Sequence, residues 1–209
     1  MVRNIIGLIA LLTIAAGICM SAKAYATPTP KATESIVLAG GCFWGVQAVF
    51  QHTTGVVSAT SGYAGGKADT AKYETVTSGT TGHAESVEVT YDPKQITLDQ
   101  LLDVYFTVAH NPTELNYQGP DHGTQYRSAV FYRSPDQKKL VQAHIAELTA
   151  EKKFSAPIVT TLEPLTNFYP AEDYHQNYAT LHPYNPYIVM HDAPKLANLQ
   201  KTFPDLYVK

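Results

Sequence analysis

Cys42 stands between a glycine pair and two aromatics in GGCFWGVQAVF, residues 40 to 50, and the chain's only other cysteine is Cys19, in an apolar N-terminal run. The stretch before it, SIVLAGG, reads as a short buried strand, and FWGVQAVFQ after it puts Phe43, Val46 and Phe50 at helical spacing. Cys42 therefore falls at a strand-to-helix turn. A thiol there meets unpaired backbone N–H groups and the positive end of the helix dipole, both of which favour the thiolate over the ordinary thiol with its pKa of about 8.5. The plain alternative is a small buried cysteine serving as a hydrophobe.

A second group with chemical potential is Glu85, at the end of the glycine-rich TSGTTGHAES, residues 77 to 86. It shares strand parity with Val87, Val89 and Tyr91, so it begins a strand on the apolar face. Burial without a cation raises a carboxyl pKa, and a carboxyl still protonated near neutral pH can act as an acid. The other reading is an exposed edge carboxylate. NYQGPDHGTQYRS (116–128) gathers Asn116, Gln118, Asp121, Gln125, Tyr126 and Arg127 in one loop, and PAEDYHQNY (170–178) adds Glu172, Asp173, Tyr174 and His175. Fourteen tyrosines, several flanking these loops, could line an apolar pocket with phenolic donors. The eight histidines lack metal-site spacing, so no metal is expected.

The elements that must hold these residues follow from local pattern. GVVSATSGYAGG is a strand entering a glycine-rich loop and AESVEVTYD is another strand. In TLDQLLDVYFTVAH, Thr97 and Gln100 stand in capping-box register before a stripe of Leu98, Leu101, Leu102 and Tyr105. YRSAVFY is a strand, and Ser134 and Pro135 start a helix whose inner face is Leu140, Val141, His144, Ile145 and Leu148. APIVTTLEPL is a further strand, followed by short helices broken by prolines. Through Tyr132 the order is β-α-β-β-α-β, so the expected fold is α+β: a ferredoxin-like, split β-α-β two-layer sandwich with a mixed sheet and long functional loops.

At 209 residues and 44% hydrophobic, the chain fits one domain with a real core. A net charge of −3 without a basic cluster argues against a nucleic-acid partner. At the N-terminus, MVRN, the apolar IIGLIALLTIAAGICM and AKAYA at A-x-A spacing read as a signal peptide, residues 1–26, cleaved after Ala26. The run also approaches the length of an uncleaved anchor. A Pro/Thr-rich tether, 27–34, leads to a single domain over 35–209. Cleavage would remove Cys19, Arg3 and Lys23, leaving 13 basic residues against 18 acidic ones and one thiol that has no internal partner. An exported protein without stable membrane association, periplasmic or secreted, is the expectation, and a monomer is the default because no heptads or clear apolar patch argue otherwise.

GGCFWG, GYAGG, YETVTSGTTGHAE, NYQGPDHGTQYRS and AEDYHQNY, in this order over most of residues 36 to 187, closely resemble the A-type peptide-methionine sulfoxide reductases. The resemblance implies reduction of the S epimer of methionine sulfoxide in oxidised proteins and peptides. By the same resemblance Cys42 is the nucleophile that attacks sulfur, and Glu85 is the acid at the sulfoxide oxygen, sharing that task with Tyr73 and Tyr126. Asp121 organises the site and its water, while Phe43 and Trp44 wall in the S-methyl group. The product is a sulfenic acid on Cys42. Many relatives resolve it with a second cysteine near the C-terminus. HPYNPYIVMHDAPKLANLQKTFPDLYVK has none, and Thr77 stands where some relatives have a further cysteine. The single-cysteine type then needs an external thiol such as glutathione, a glutaredoxin or a thioredoxin-like protein, and no bound cofactor. Two rivals remain: a peroxide-reducing or oxidant-sensing cysteine protein in which Glu85 is structural, and a secreted binding module whose tyrosine-lined cleft does no chemistry.

Overall fold

The computed structural model describes residues 32–209. The expected leader, 1–26, and most of the tether lie outside the described residues. The strands are β1 Glu34–Ala39, β2 Val56–Ala64, β3 Ala84–Tyr91, β4 Tyr117–Gln118, β5 Asp121–His122, β6 Ala129–Tyr132, β7 Thr161–Pro164 and β8 Phe168–Pro170. The α-helices are α1 Phe43–Gln51, α2 Tyr73–Val76, α3 Leu98–Val104, α4 Pro135–Ala150, α5 Tyr178–Leu181 and α6 Ala193–Thr202.

Six strands form one sheet in the order β7-β6-β1-β3-β2-β8, and β4 and β5 form a small separate hairpin. β3 lies antiparallel between β1 and β2, and β6 runs antiparallel on the other side of β1. With α1 joining β1 to β2 and α3 leading from β3 towards β6, this is the expected split β-α-β arrangement. β7 adds a parallel partner to β6, which the intervening α4 crossover makes possible, and β8 adds an antiparallel edge beside β2.

Strand parity divides the core. Ile36 and Leu38 of β1, with Val87, Val89 and Tyr91 of β3, pack against Phe43, Val46, Val49 and Phe50 of α1 and Leu101 and Leu102 of α3. Val37, Ala39, Ala84, Ala129 and Phe131 form a smaller cluster with the opposite parity. The Thr97–Gln100 capping box is present, and Ser134 caps α4 by accepting from Gln137 N–H at 3.1 Å.

Some expectations are corrected. Leu140 is exposed, and the inner face of α4 is carried by Val141, His144 and Leu148. YRSAVFY is extended only from Ala129, because Tyr126 closes a 3₁₀ turn and the Arg127 side chain is committed to loop carbonyls. APIVTTLEPL forms a strand only over Thr161–Pro164. The tether prediction runs one residue too far, since Glu34 already pairs with Tyr91.

The C-terminal tail returns to α1 at its middle and just beyond its C-terminal end. Gln47 of α1 donates to Gln176 Oε1 at 2.9 Å and accepts from Asn177 N–H at 2.8 Å. Beyond its C-terminal end, Thr54 N–H donates to Leu206 O at 2.7 Å and Val208 N–H to His52 O at 2.9 Å.

Candidate active site

β1 delivers the chain to Gly41, which adopts φ +88°, and any Cβ there would lie 2.6 Å from the Gln118 side chain. Only glycine permits both the turn and the close approach of the 117–126 loop. Cys42 follows as the N-cap of α1, 9% exposed. A cavity of about 260 Å³ opens beside it, lined by Val108, His110, Gln118, Asp121, Tyr187 and Lys195 among others.

Glu85 arrives from the opposite strand on the helix-facing side of β3 and is 2% exposed. Its Oε2 accepts from Phe43 N–H at 3.1 Å, which ties the carboxyl to the first turn of α1 beside Cys42. Burial pushes its pKa up to about 8; the Phe43 N–H opposes that rise and the Asp121 charge adds to it. The carboxyl is therefore protonated at neutral pH, as required of an acid.

The expectation of an ionised Cys42 is corrected. Burial, then the charges of Glu85 and Asp192, hold its pKa well above that of a free thiol, against the opposing Trp44 N–H and Lys195 ammonium. The helix N-terminus acts in the expected direction, but desolvation of a nearly buried sulfur outweighs it.

Tyr73, Tyr126 and Asp121 converge on the same place. Burial, followed by the charges of Glu85 and Cys42, raises the Tyr73 pKa. At Tyr126 burial again leads, followed by Glu85, Asp121 and Cys42, so both phenols keep their protons and remain donors. Arg127 ties the Tyr126 loop down: its guanidinium donates to Thr124 O at 3.1 Å and Gly82 O at 3.1 Å and pairs with Glu163 at 3.2 Å. Glu172 fixes Tyr73, with Oε1 accepting its N–H at 3.0 Å and Oε2 accepting the Tyr63 hydroxyl at 2.8 Å.

Phe43 and Trp44 differ in exposure. Phe43 is buried, its ring 5.0 Å from His175 and 5.8 Å from Tyr63, so it lies beneath the site. Trp44 is half-buried, stacks on Tyr178 at 3.7 Å and donates from Nε1 to His175 Nδ1 at 3.0 Å. Burial lowers the pKa of His175, with Glu172 opposing, which keeps the ring neutral and Nδ1 free to accept.

Sequence reasoning missed a distant contributor. Tyr187 donates its hydroxyl to Asp121 Oδ2, and burial followed by the Cys42 charge raises its own pKa far beyond the usual phenol range. The two tyrosines of HPYNPYIVM are a hint, but no local pattern sets a residue 145 positions from Cys42 beside it. Among the described residues no cluster of histidine, cysteine, aspartate or glutamate has metal-holding geometry.

What the arrangement can do is deliver a proton from a buried acid and two phenols to an atom held next to a thiol. The chain that carries this arrangement is similar to known proteins. A family model described as peptide methionine sulfoxide reductase matches residues 34–206. The chain is 60% identical over 175 residues to peptide methionine sulfoxide reductase MsrA 2 of Mesorhizobium japonicum, covering 84% of this chain and 90% of that one. It is 45% identical to the MsrA 2 of Synechocystis over 85% of this chain and 83% of the relative. Among solved structures, reduced Mxr1 from Saccharomyces cerevisiae superimposes with a TM-score of 0.68 at 38% identity, over 75% of this chain and 90% of that one. Methionine sulfoxide reductase A of Corynebacterium diphtheriae gives 0.64 at 37% identity, over 77% and 80%.

Proposed function

The chain belongs to the peptide methionine sulfoxide reductase family and is an oxidoreductase that reduces methionine sulfoxide, and on that premise we propose that it acts on the S epimer through a sulfenic acid on Cys42. The observation that carries this reading is Glu85: a buried carboxyl, protonated up to about pH 8 and anchored to the Phe43 N–H next to the only cysteine among the described residues.

A sulfoxide sulfur is a poor electrophile until its oxygen is protonated. Glu85, with the Tyr73 and Tyr126 hydroxyls, holds the oxygen and supplies that proton while Cys42 Sγ attacks the sulfur. The proton lost by the thiol restores Glu85, the oxygen passes to Cys42, and the thioether leaves as methionine. The sulfoxide sulfur gains two electrons and the cysteine sulfur loses two. Trp44 and its Tyr178 stack form the apolar wall for the S-methyl group, with Phe43 as the floor under the site. Asp121 holds Tyr187 at the cavity edge.

Regeneration needs two external thiols: the first displaces water from the sulfenic acid to give a mixed disulfide, and the second releases Cys42 as a thiol with an external disulfide. Glutathione, a glutaredoxin or a thioredoxin-like protein fits this requirement. We further propose that residues 1–26 are an export signal and that the mature monomer works in the periplasm or outside the cell. The N-terminal mass of the exported protein tests the cleavage after Ala26.

The test of the chemistry is a single turnover of the protein with S and R epimers of a methionine sulfoxide peptide and no reductant. About one methionine per protein from the S epimer alone is expected from a lone thiol that stops at the sulfenic acid. Absence of methionine from both epimers would sink the reading, and rapid peroxide consumption in its place would favour the sensor.

A further inference from the structure

The second glycine of GCFWG has a physical reason that lies outside the motif. A Cβ at Gly45 would come within 2.0 Å of Asp192 Oδ1 and 2.7 Å of Lys195 Nζ. A carboxylate and an ammonium are thus pressed together against the first turn of α1. Gly45 is three residues from Cys42, on the same side of the helix one turn along. Asp192 is 1% exposed; its Oδ1 accepts from Lys195 Nζ at 3.3 Å, and its Oδ2 has no hydrogen-bond partner among the described residues. A buried carboxylate with one oxygen unsatisfied is costly, which calls for an account beyond packing.

We propose that Asp192 anchors Lys195 at the Cys42 cavity, making the Lys195 ammonium the counter-ion for the sulfur's negative charge during attack. Lys195 and Cys42 line the same cavity, and among the described residues no other lysine or arginine lines it. Apart from His191, the remaining charged or titratable groups facing the sulfur do not supply a cation. Glu85 from β3 and Asp121 from the 117–126 loop are acids, as is Glu114 on the cavity wall. Tyr73, Tyr126 and Tyr187 are neutral phenols. His110 is held neutral by burial, with its pKa near 3, which leaves His191 as the remaining imidazole at the cavity. Lys195 acts as a positioning residue through charge and does not touch the sulfoxide oxygen.

This inference rests on Cys42 being the nucleophile, but its test reads the thiol directly, so it stands or falls apart from sulfoxide reduction. Cys42 alkylation is followed from pH 6 to 9 with neutral iodoacetamide and anionic iodoacetate in wild type, Lys195→Met, Lys195→Arg and, as a control on the exposed side of α6, Lys201→Met. Lys195→Met is expected to slow iodoacetamide about tenfold at pH 7, the effect of about one unit in thiol pKa. It is also expected to lower the iodoacetate-to-iodoacetamide ratio, a quantity that a change in fold or access alone leaves in place. Lys195→Arg and Lys201→Met are expected to follow wild type. Asp192→Asn is expected to alter the profile in a different way in wild type, where it also frees Lys195, than in the Lys195→Met background, where only the loss of its own charge acts on the sulfur. An unchanged reagent ratio in Lys195→Met overturns the counter-ion role, and an Asp192→Asn effect that is the same with and without Lys195 overturns the anchoring role.

Discussion

Glu85 and Glu172 are two carboxyls of one site with opposite fates. Glu85, at the start of β3, has a single backbone donor, Phe43 N–H, and burial pushes its pKa up to about 8. Glu172, in the segment after β8, is half-buried. Burial works against its charge, but the Tyr73 N–H, its own N–H and the Tyr63 hydroxyl more than offset this, and its pKa is lowered. Burial alone does not make an acid; burial with too few donors does. The same count separates roles, since a carboxyl that keeps its proton can give it away and one that stays ionised can only hold other groups in place.

Breaking the contrast at its centre gives the largest effects. Cys42→Ser is expected to abolish methionine formation in a single turnover, whereas retained function would return the protein to the binding-module reading. Glu85→Gln is expected to slow the reductive step by about 10²- to 10⁴-fold, the usual worth of general-acid help. In wild type that step should fall as pH rises through about 8, because the acid is then lost, and Glu85→Gln should lack this limb. Stability follows the same sign. The folded-state pKa lies above the unfolded carboxyl value of about 4.3, so folding takes up a proton and stability declines as pH rises between that value and about 8. Glu85→Gln is therefore expected to melt higher than wild type at pH 8.5.

Glu172→Gln sharpens the comparison from the other side. It should cost about ten- to a hundredfold by misplacing Tyr73, yet leave the alkaline limb near pH 8. A limb that moved with Glu172 would merge the two roles. Smallest is Asp121→Ala, expected to cost about three- to tenfold through the freed Tyr187 hydroxyl. Removing a charge that raises Glu85 should also move the limb to lower pH, and an unmoved limb would detach Asp121 from the acid.

The sheet strands β1, β2 and β3 and the helices α1, α3 and α4 were legible because each announces itself within a dozen residues, by parity, by a stripe or by a cap. Cys42 and Glu85 were legible for the same reason: a turn and a strand phase place them. Strand β8 was not, since three residues ending in proline carry no period and pair only because β2 offers an edge. The protonation of Cys42 was misjudged because helix-end electrostatics are local, whereas the burial that overrides them is assembled from chain segments as distant as Asp192. Tyr187 and the Asp192–Lys195 pair were hidden for that reason too, and the Gln47–Gln176 clamp joins residues 129 positions apart.

Because the segment after β8 returns to α1 and brings Tyr187, Asp192 and Lys195 to the cavity, the site is finished by residues made well over a hundred positions after Cys42. A ribosome releases Cys42 long before its walls exist. The thiol that is shielded in the finished protein is open to stray oxidants throughout that interval, and loop closures over more than a hundred residues set how long it lasts.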